Sequence, residues 1–179
     1  MHKDVQEILF TEEAVAERIR ELGAEITRDY EGRDVLVIGI LKGASIFMAE
    51  LVKRVDMLVK IDFMAVSSYG TSSESSGVVR IIKDLDQSIE GRDVLIVEDI
   101  IDTGLTLVYL KNLLEGRKAA SVKVAALLDK PERHKVDIRA DYLGFTVPDH
   151  FIVGYGLDYA EQYRNLPYVG VLKPQVYQS

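Results

Sequence analysis

Residues 98–106 hold three carboxylates and two threonine hydroxyls: Glu98, Asp99, Asp102, Thr103 and Thr106. They follow the apolar run Val94 to Val97. They precede Leu107, Leu110, Leu113 and Leu114, which recur at helical spacing. Such a run reads as a strand buried on both faces, ending where the acids begin. Asp102-Thr103-Gly104 reads as a tight loop feeding a helix. A helix start aims free backbone N–H groups and the positive end of its dipole at one point, which makes it a phosphate cradle. The hydroxyls of Thr103 and Thr106 add donors. Carboxylates repel phosphate, so beside a cradle they make sense if they hold ribose hydroxyls or a magnesium ion bridging to phosphate. An ordinary junction with solvated acids and a capping threonine accounts for one such acid. It does not account for all three, in this register, where α/β folds bind ligands.

Two lysines occupy equivalent places. Val35 to Ile40 reads as a second buried strand, followed by Leu41-Lys42-Gly43-Ala44-Ser45 and an apolar helix from Ile46 to about Val55. Lys42 thus lies at a strand's C-terminal edge, and Gly43 permits close backbone approach to an anion. Ser121 to Leu128 reads as another strand, stopped by Pro131, with Lys130 at its edge. On pattern alone Lys130 is equally well a solvated loop charge.

The wording Val-Glu-Asp-Ile-Ile-Asp-Thr-Gly-Leu-Thr over residues 97–106 resembles the phosphoribosyl pyrophosphate (PRPP) motif of the type I phosphoribosyltransferases. It is most similar to the hypoxanthine-guanine branch. Phe-Ile-Val-Gly-Tyr-Gly-Leu-Asp-Tyr over residues 151–159 resembles that family's base- and metal-binding segment. The resemblance implies a type I fold and transfer of 5-phosphoribose from PRPP to N9 of hypoxanthine or guanine, giving IMP or GMP and pyrophosphate in purine salvage. It implies that Thr103, Gly104, Leu105 and Thr106 hold the 5′-phosphate, with Glu98 and Asp99 at the ribose and its Mg2+. Asp102 would be the general base for the proton on the purine's imidazole nitrogen.

The same resemblance assigns Lys42, Gly43 and Arg164 to pyrophosphate, with Ser68 and Tyr69 on a closing lid. A cis peptide often precedes the lysine in that family, and a second glycine commonly stands where this chain has Ala44. Lys130 would read the 6-oxo group, since an ammonium donates to an oxo group and is poorly matched to an amino group. Phe151 would stack on the purine, the backbone at Ile152 would read its edge, and Asp158 would reach Mg2+. Without the resemblance, Phe151 reads as a core aromatic, Asp158 as a cap, Arg164 as a surface charge and the serine-rich run 67–77 as a hairpin loop.

The elements that must position these groups follow from periodicity. Residues 1–32 read as helical, with Thr11 as N-cap and Val15, Ile19, Leu22 and Ile26 as one apolar stripe. Leu58 to Val66 reads as a strand and Val78 to Ile82 as its return. Gly116 closes the helix after the motif. Ala140 to Val147, Phe151 to Gly154 and Tyr168 to Leu172 read as short late strands, and Lys173-Pro174 as the end of the fold. Strand, loop and helix alternate through residues 35–128, which predicts an α/β fold with a mainly parallel central sheet flanked by helices. The 179 residues read as one domain. Its core spans about 35–172, and a small hood comes from the N-terminal segment and about 140–179.

Bulk properties narrow the alternatives. A net charge of −7 gives no general attraction to nucleic acid or anionic membrane, so a phosphorylated substrate must meet local cations or metal. There is no cysteine, and three scattered histidines have no zinc spacing. The polar N-terminus and the lack of a long apolar run point to the cytoplasm. The rival readings are a PRPP-fold regulator that binds nucleic acid, a generic nucleotide-binding α/β domain such as a methyltransferase, and a xanthine-accepting relative. Family resemblance implies a homodimer or homotetramer.

Overall fold

Six strands bring the acids to one edge of a sheet. The structure, a computed structural model, describes residues 1–68 and 79–178, and of Ser68 only the backbone. In chain order the elements are β1 (Val5–Phe10), α1 (Glu12–Asp29), β2 (Val35–Leu41), α2 (Ser45–Val52) and β3 (Lys60–Ser68). There follow β4 (Val79–Lys83), β5 (Asp93–Ile101), α3 (Leu105–Gly116), β6 (Ser121–Asp129), β7 (Tyr142–Thr146), β8 (Ile152–Val153), β9 (Val169–Leu172) and α4 (Pro174–Tyr177). One sheet has the order β4-β3-β2-β5-β6-β7, antiparallel only between β3 and β4; the other has the order β1-β9-β8.

The alternating side chains of β5 separate two cores. Leu95 and Val97 pack with Ile19 and Leu22 of α1 and with Phe47, Met48 and Leu51 of α2. Val94 and Ile96 pack with Leu107, Leu110 and Leu114 of α3 on the other face. Both faces are covered, as a parallel sheet requires, and the expected α/β layering is what forms. The stripe on α1 is buried as expected, and Thr11 caps that helix by accepting from the Ala14 N–H at 3.2 Å.

Three expectations need correction. Residues 1–32 are not all helical, because β1 precedes α1. Its burial does not alternate, so no period marked it. Antiparallel pairing of Val5 with Leu172 and of Phe10 with Val169 makes it a strand. β5 does not stop at the acids. Its neighbour β6 stays apolar, so the ladder continues through Glu98 opposite Ala126 and Ile101 opposite Asp129. The strand at Leu58 begins later, at Lys60, and Leu58 is 97% exposed. Gly116 ends α3 as expected, with Lys118 turning the chain at φ 63°, while Pro174 opens α4 instead of closing the fold.

The two sheets touch through glycines. A Cβ on Gly156, beyond β8, would fall 2.0 Å from the carbonyl oxygen of Gly43, beyond β2. A Cβ on Gly43 would fall 1.9 Å from Oδ2 of Asp99 on β5. Asp99, the β2 loop and the small sheet's loop are therefore stacked in contact. No helix among the described residues is long and apolar enough to cross a membrane.

Candidate active site

A cleft of about 450 Å³ opens between the sheet edge and the small sheet. Asp99, Asp102, Lys130, Phe151, Ile152 and Asp158 all bound it, although they come from four separate stretches of chain. Glu98 does not bound it.

Asp102-Thr103-Gly104 makes the turn from β5 into α3. Gly104 has φ 81°, a conformation that suits glycine, and no side chain caps the helix. The first N–H groups of α3 have no partner within the helix, and only the Leu105 N–H meets the Thr103 hydroxyl, at 3.4 Å. These donors can hold an anion. The chain after β6 is strapped over the turn: the Lys135 N–H donates to the Thr103 carbonyl at 2.9 Å, and a Cβ on Gly104 would lie 2.5 Å from Ile138.

At one end of the cleft, Arg133 Nε donates to Asp102 Oδ1 at 3.0 Å. Lys130 Nζ donates to the His150 carbonyl at 2.6 Å and lies 3.8 Å from Asp149. Arg133 is 4.0 Å from that same Asp149 carboxylate. Asp102 and Lys130 thus line one cleft, each held by its own partner, Arg133 for the carboxylate and the His150 carbonyl for the ammonium. Phe151 stacks on Tyr177 with ring centroids 4.6 Å apart and meets Tyr159 edge-on. Ile152 is buried in β8.

Lys42, Gly43 and Arg164 do not bound this cleft; Arg164 adjoins it through Asp158, and Gly43 through Asp99. Lys42 follows a cis Leu41–Lys42 peptide, the isomer implied by the resemblance. Its Nζ pairs with Glu161 at 2.5 Å. Arg164 donates to the Gly156 carbonyl at 2.7 Å and pairs with both Asp158 and Glu161 at 3.2 Å. Its Nε is buried without a hydrogen-bond partner among the described residues. The Ser68 backbone pairs with Val79 at the end of β3, whereas Tyr69 and the expected lid lie outside the described residues.

Burial pushes the Asp99 carboxyl up to about 6; the Ile100 N–H and the Arg164 charge oppose the rise, and the Asp158 charge adds to it. Burial, and then the charge of Asp99, raises Glu98 well above the usual carboxylate range. Among the described residues no three His, Cys, Asp or Glu side chains cluster closely enough to hold an ion. The expected set Glu98, Asp99 and Asp158 is therefore not a protein cage. Magnesium usually takes one or two carboxylates and completes its shell with water and substrate oxygens. Asp99 and Asp158, two acids on one cleft whose mutual repulsion a cation would relieve, fit that role.

Sequence reasoning missed Arg133, Asp149, Glu161 and Tyr177. Arg133 had a signal, three residues after Lys130 and one helical turn along. Asp149 and Glu161 are brought in by folding from loops, and Tyr177 from α4 at the far end of the chain, and none of them carries a motif.

Known proteins resemble this chain along its whole length. Residues 5–160 match the family model described as phosphoribosyl transferase domain. The chain is 60% identical to a hypoxanthine-guanine phosphoribosyltransferase of Bacillus subtilis, over 100% of this chain and 99% of that protein. It is 61% identical to a bifunctional protein TilS/HprT of Listeria monocytogenes over 99% of this chain, but spans only 27% of that longer relative. It superposes with a TM-score of 0.98 on a crystal structure of a hypoxanthine phosphoribosyltransferase from Staphylococcus aureus, at 55% identity, covering 100% of this chain and 97% of the other.

Proposed function

This chain belongs to the phosphoribosyl transferase family, and from that premise we propose that its cleft transfers 5-phosphoribose from PRPP to N9 of hypoxanthine or guanine. The products are IMP or GMP and pyrophosphate, as in purine salvage. The observation that carries the reading is that Asp102 and Lys130 line one cleft beside the α3 N-terminus. A 6-oxopurine presents an imidazole nitrogen and an oxo group on one edge, which matches a carboxylate acceptor next to an ammonium donor.

Each residue then has a task. The N–H groups at Thr103, Gly104, Leu105 and Thr106 hold the 5′-phosphate and fix the sugar beneath the base. Phe151 supplies an aromatic face for the purine, and the Ile152 backbone lies along its edge. Lys130 donates to the 6-oxo oxygen. Asp102 accepts the imidazole proton as N9 attacks C1 and the C1–O bond to pyrophosphate breaks. Lys42 and Arg164 meet the negative charge that develops on the leaving group, and Gly43 lets its oxygens approach the backbone. Asp99 and Asp158 would hold Mg2+, with Glu98 next to Asp99 in the chain, and the ion would supply further charge for that departure. Ser68 and Tyr69 would cover the diphosphate and exclude water. We read the chain as one cytoplasmic domain with the β1-β9-β8 sheet as its hood, assembled as a homodimer or homotetramer.

The test is incubation with PRPP, Mg2+ and each purine base in turn, following pyrophosphate release. Release with hypoxanthine and guanine, and little with adenine, is the expected result. Release independent of any base, or none with either 6-oxopurine, would overturn the reading.

A further inference from the structure

The cations assigned to the leaving group already have an anion. One Glu161 carboxylate pairs through Oε2 with Lys42 and through Oε1 with Arg164, so it bridges the β2 loop and the loop after β8. Its carboxyl is held below the usual range, chiefly by the hydrogen bond from Lys42. The backbone aims it there. Ala160 and Glu161 adopt φ of 50° and 64°, unusual for residues with a Cβ, and the Glu161 N–H is held by Asp158 Oδ2 at 2.9 Å. Glu161 and Lys42 are both well exposed, at 63% and 67%, so this contact exchanges readily. Arg164, by contrast, is anchored by Asp158 and the Gly156 carbonyl, and its Nε–H has no partner among the described residues.

We propose that Glu161 is a resident counter-anion of the diphosphate subsite, which competes with pyrophosphate and with the diphosphate arm of PRPP for Lys42 and Arg164. The inference rests on the reading of Lys42 and Arg164 given above and adds a residue of opposite sign to it. Diphosphate must displace the Glu161 carboxylate to reach both cations. The displacement costs affinity on the way in. On the way out, the returning carboxylate occupies the cations and speeds release of pyrophosphate. Glu161 therefore tunes affinity for PRPP downward and favours product departure.

The experiment is titration calorimetry of the full chain with magnesium pyrophosphate, together with KM for PRPP and pyrophosphate inhibition. Glu161→Gln is expected to bind pyrophosphate about 3- to 10-fold more tightly, the range that two exposed ion pairs span. It is also expected to lower the KM for PRPP and to strengthen product inhibition. Loss of a negative charge near an anion site could tighten binding through space alone, so Lys42→Ala/Glu161→Gln is compared with Lys42→Ala. Competition predicts that most of the gain disappears without Lys42, whereas a general field effect would preserve it. Unchanged or weaker pyrophosphate binding in Glu161→Gln, with Lys42→Ala weakened, would overturn the counter-anion alone. Unweakened binding in both Lys42→Ala and Arg164→Ala would overturn the diphosphate assignment and this inference together.

Discussion

The proposed base subsite and the proposed diphosphate subsite each pair a lysine with nearby oxygens, but they hold it in opposite ways. Lys130 is 13% exposed and anchored to a backbone carbonyl, whereas Lys42 is 67% exposed and tied to an exposed carboxylate partner. A backbone oxygen cannot leave, so Lys130 is a fixed donor that can distinguish one ring substituent from another. A surface carboxylate can leave, so Lys42 can be handed to a multiply charged group that arrives with the substrate and departs as product. Selectivity calls for the first arrangement and turnover for the second.

The sharpest break in that comparison is at the base end. Asp102→Asn is expected to lower kcat by roughly 10²- to 10⁴-fold, the usual loss with a general base, while PRPP binding persists. Near-normal turnover would remove Asp102 from the role. Lys130→Ala comes next. Losing a hydrogen bond from a charged donor should reduce kcat/KM for hypoxanthine and guanine alike by roughly 10- to 100-fold. It should also narrow the preference over adenine, and an unchanged preference measured by competition would refute the assignment.

Between the two ends, Gly156→Ala tests how rigidly the small sheet is seated. Its added methyl meets the Gly43 carbonyl at a residue with φ 105°, so a loss of about 1–3 kcal/mol is expected from crowding and backbone strain, read as a lower melting temperature. Diphosphate affinity should fall with it, because Gly43 must shift.

The smallest effect concerns Asp99. Its value of about 6 in the folded chain lies above the ordinary 3.8. Its stabilising contribution is therefore full below about pH 4 and is lost as pH rises through about 6. Asp99→Asn, neutral throughout, should melt a few degrees above the parent protein near neutral pH, with the gap closing as pH falls toward 4. Added Mg2+ should raise the parent's melting temperature more at neutral than at acid pH. Identical melting profiles for the two proteins would show that Asp99 is not strained in this way.

Much of this site could be read before any coordinates. The order of apolar run, acids, Asp-Thr-Gly and leucine repeat placed a tight turn into a helix N-terminus at 102–106, because those requirements are local and contiguous. The paired cations at Lys42 and Lys130 were legible as strand-edge residues for the same reason. β1 was not legible, since Gln6 and Glu7 give no period and its partner β9 lies at the far end of the chain. The length of β5 was not legible either, because its acids read as an end while its neighbour's apolar residues carried the ladder on.

What the sequence determined by itself is the set of reactive groups and the α/β frame that presents them, because periodicity and turn chemistry act over a few residues. What only the tertiary structure decided is which charge faces which. Arg133 reaches Asp102, His150 and Asp149 flank Lys130, and Glu161 joins Lys42 to Arg164 across 119 and 3 residues of chain, respectively. Such pairings depend on where loops land after the sheets have packed, and no local pattern encodes that.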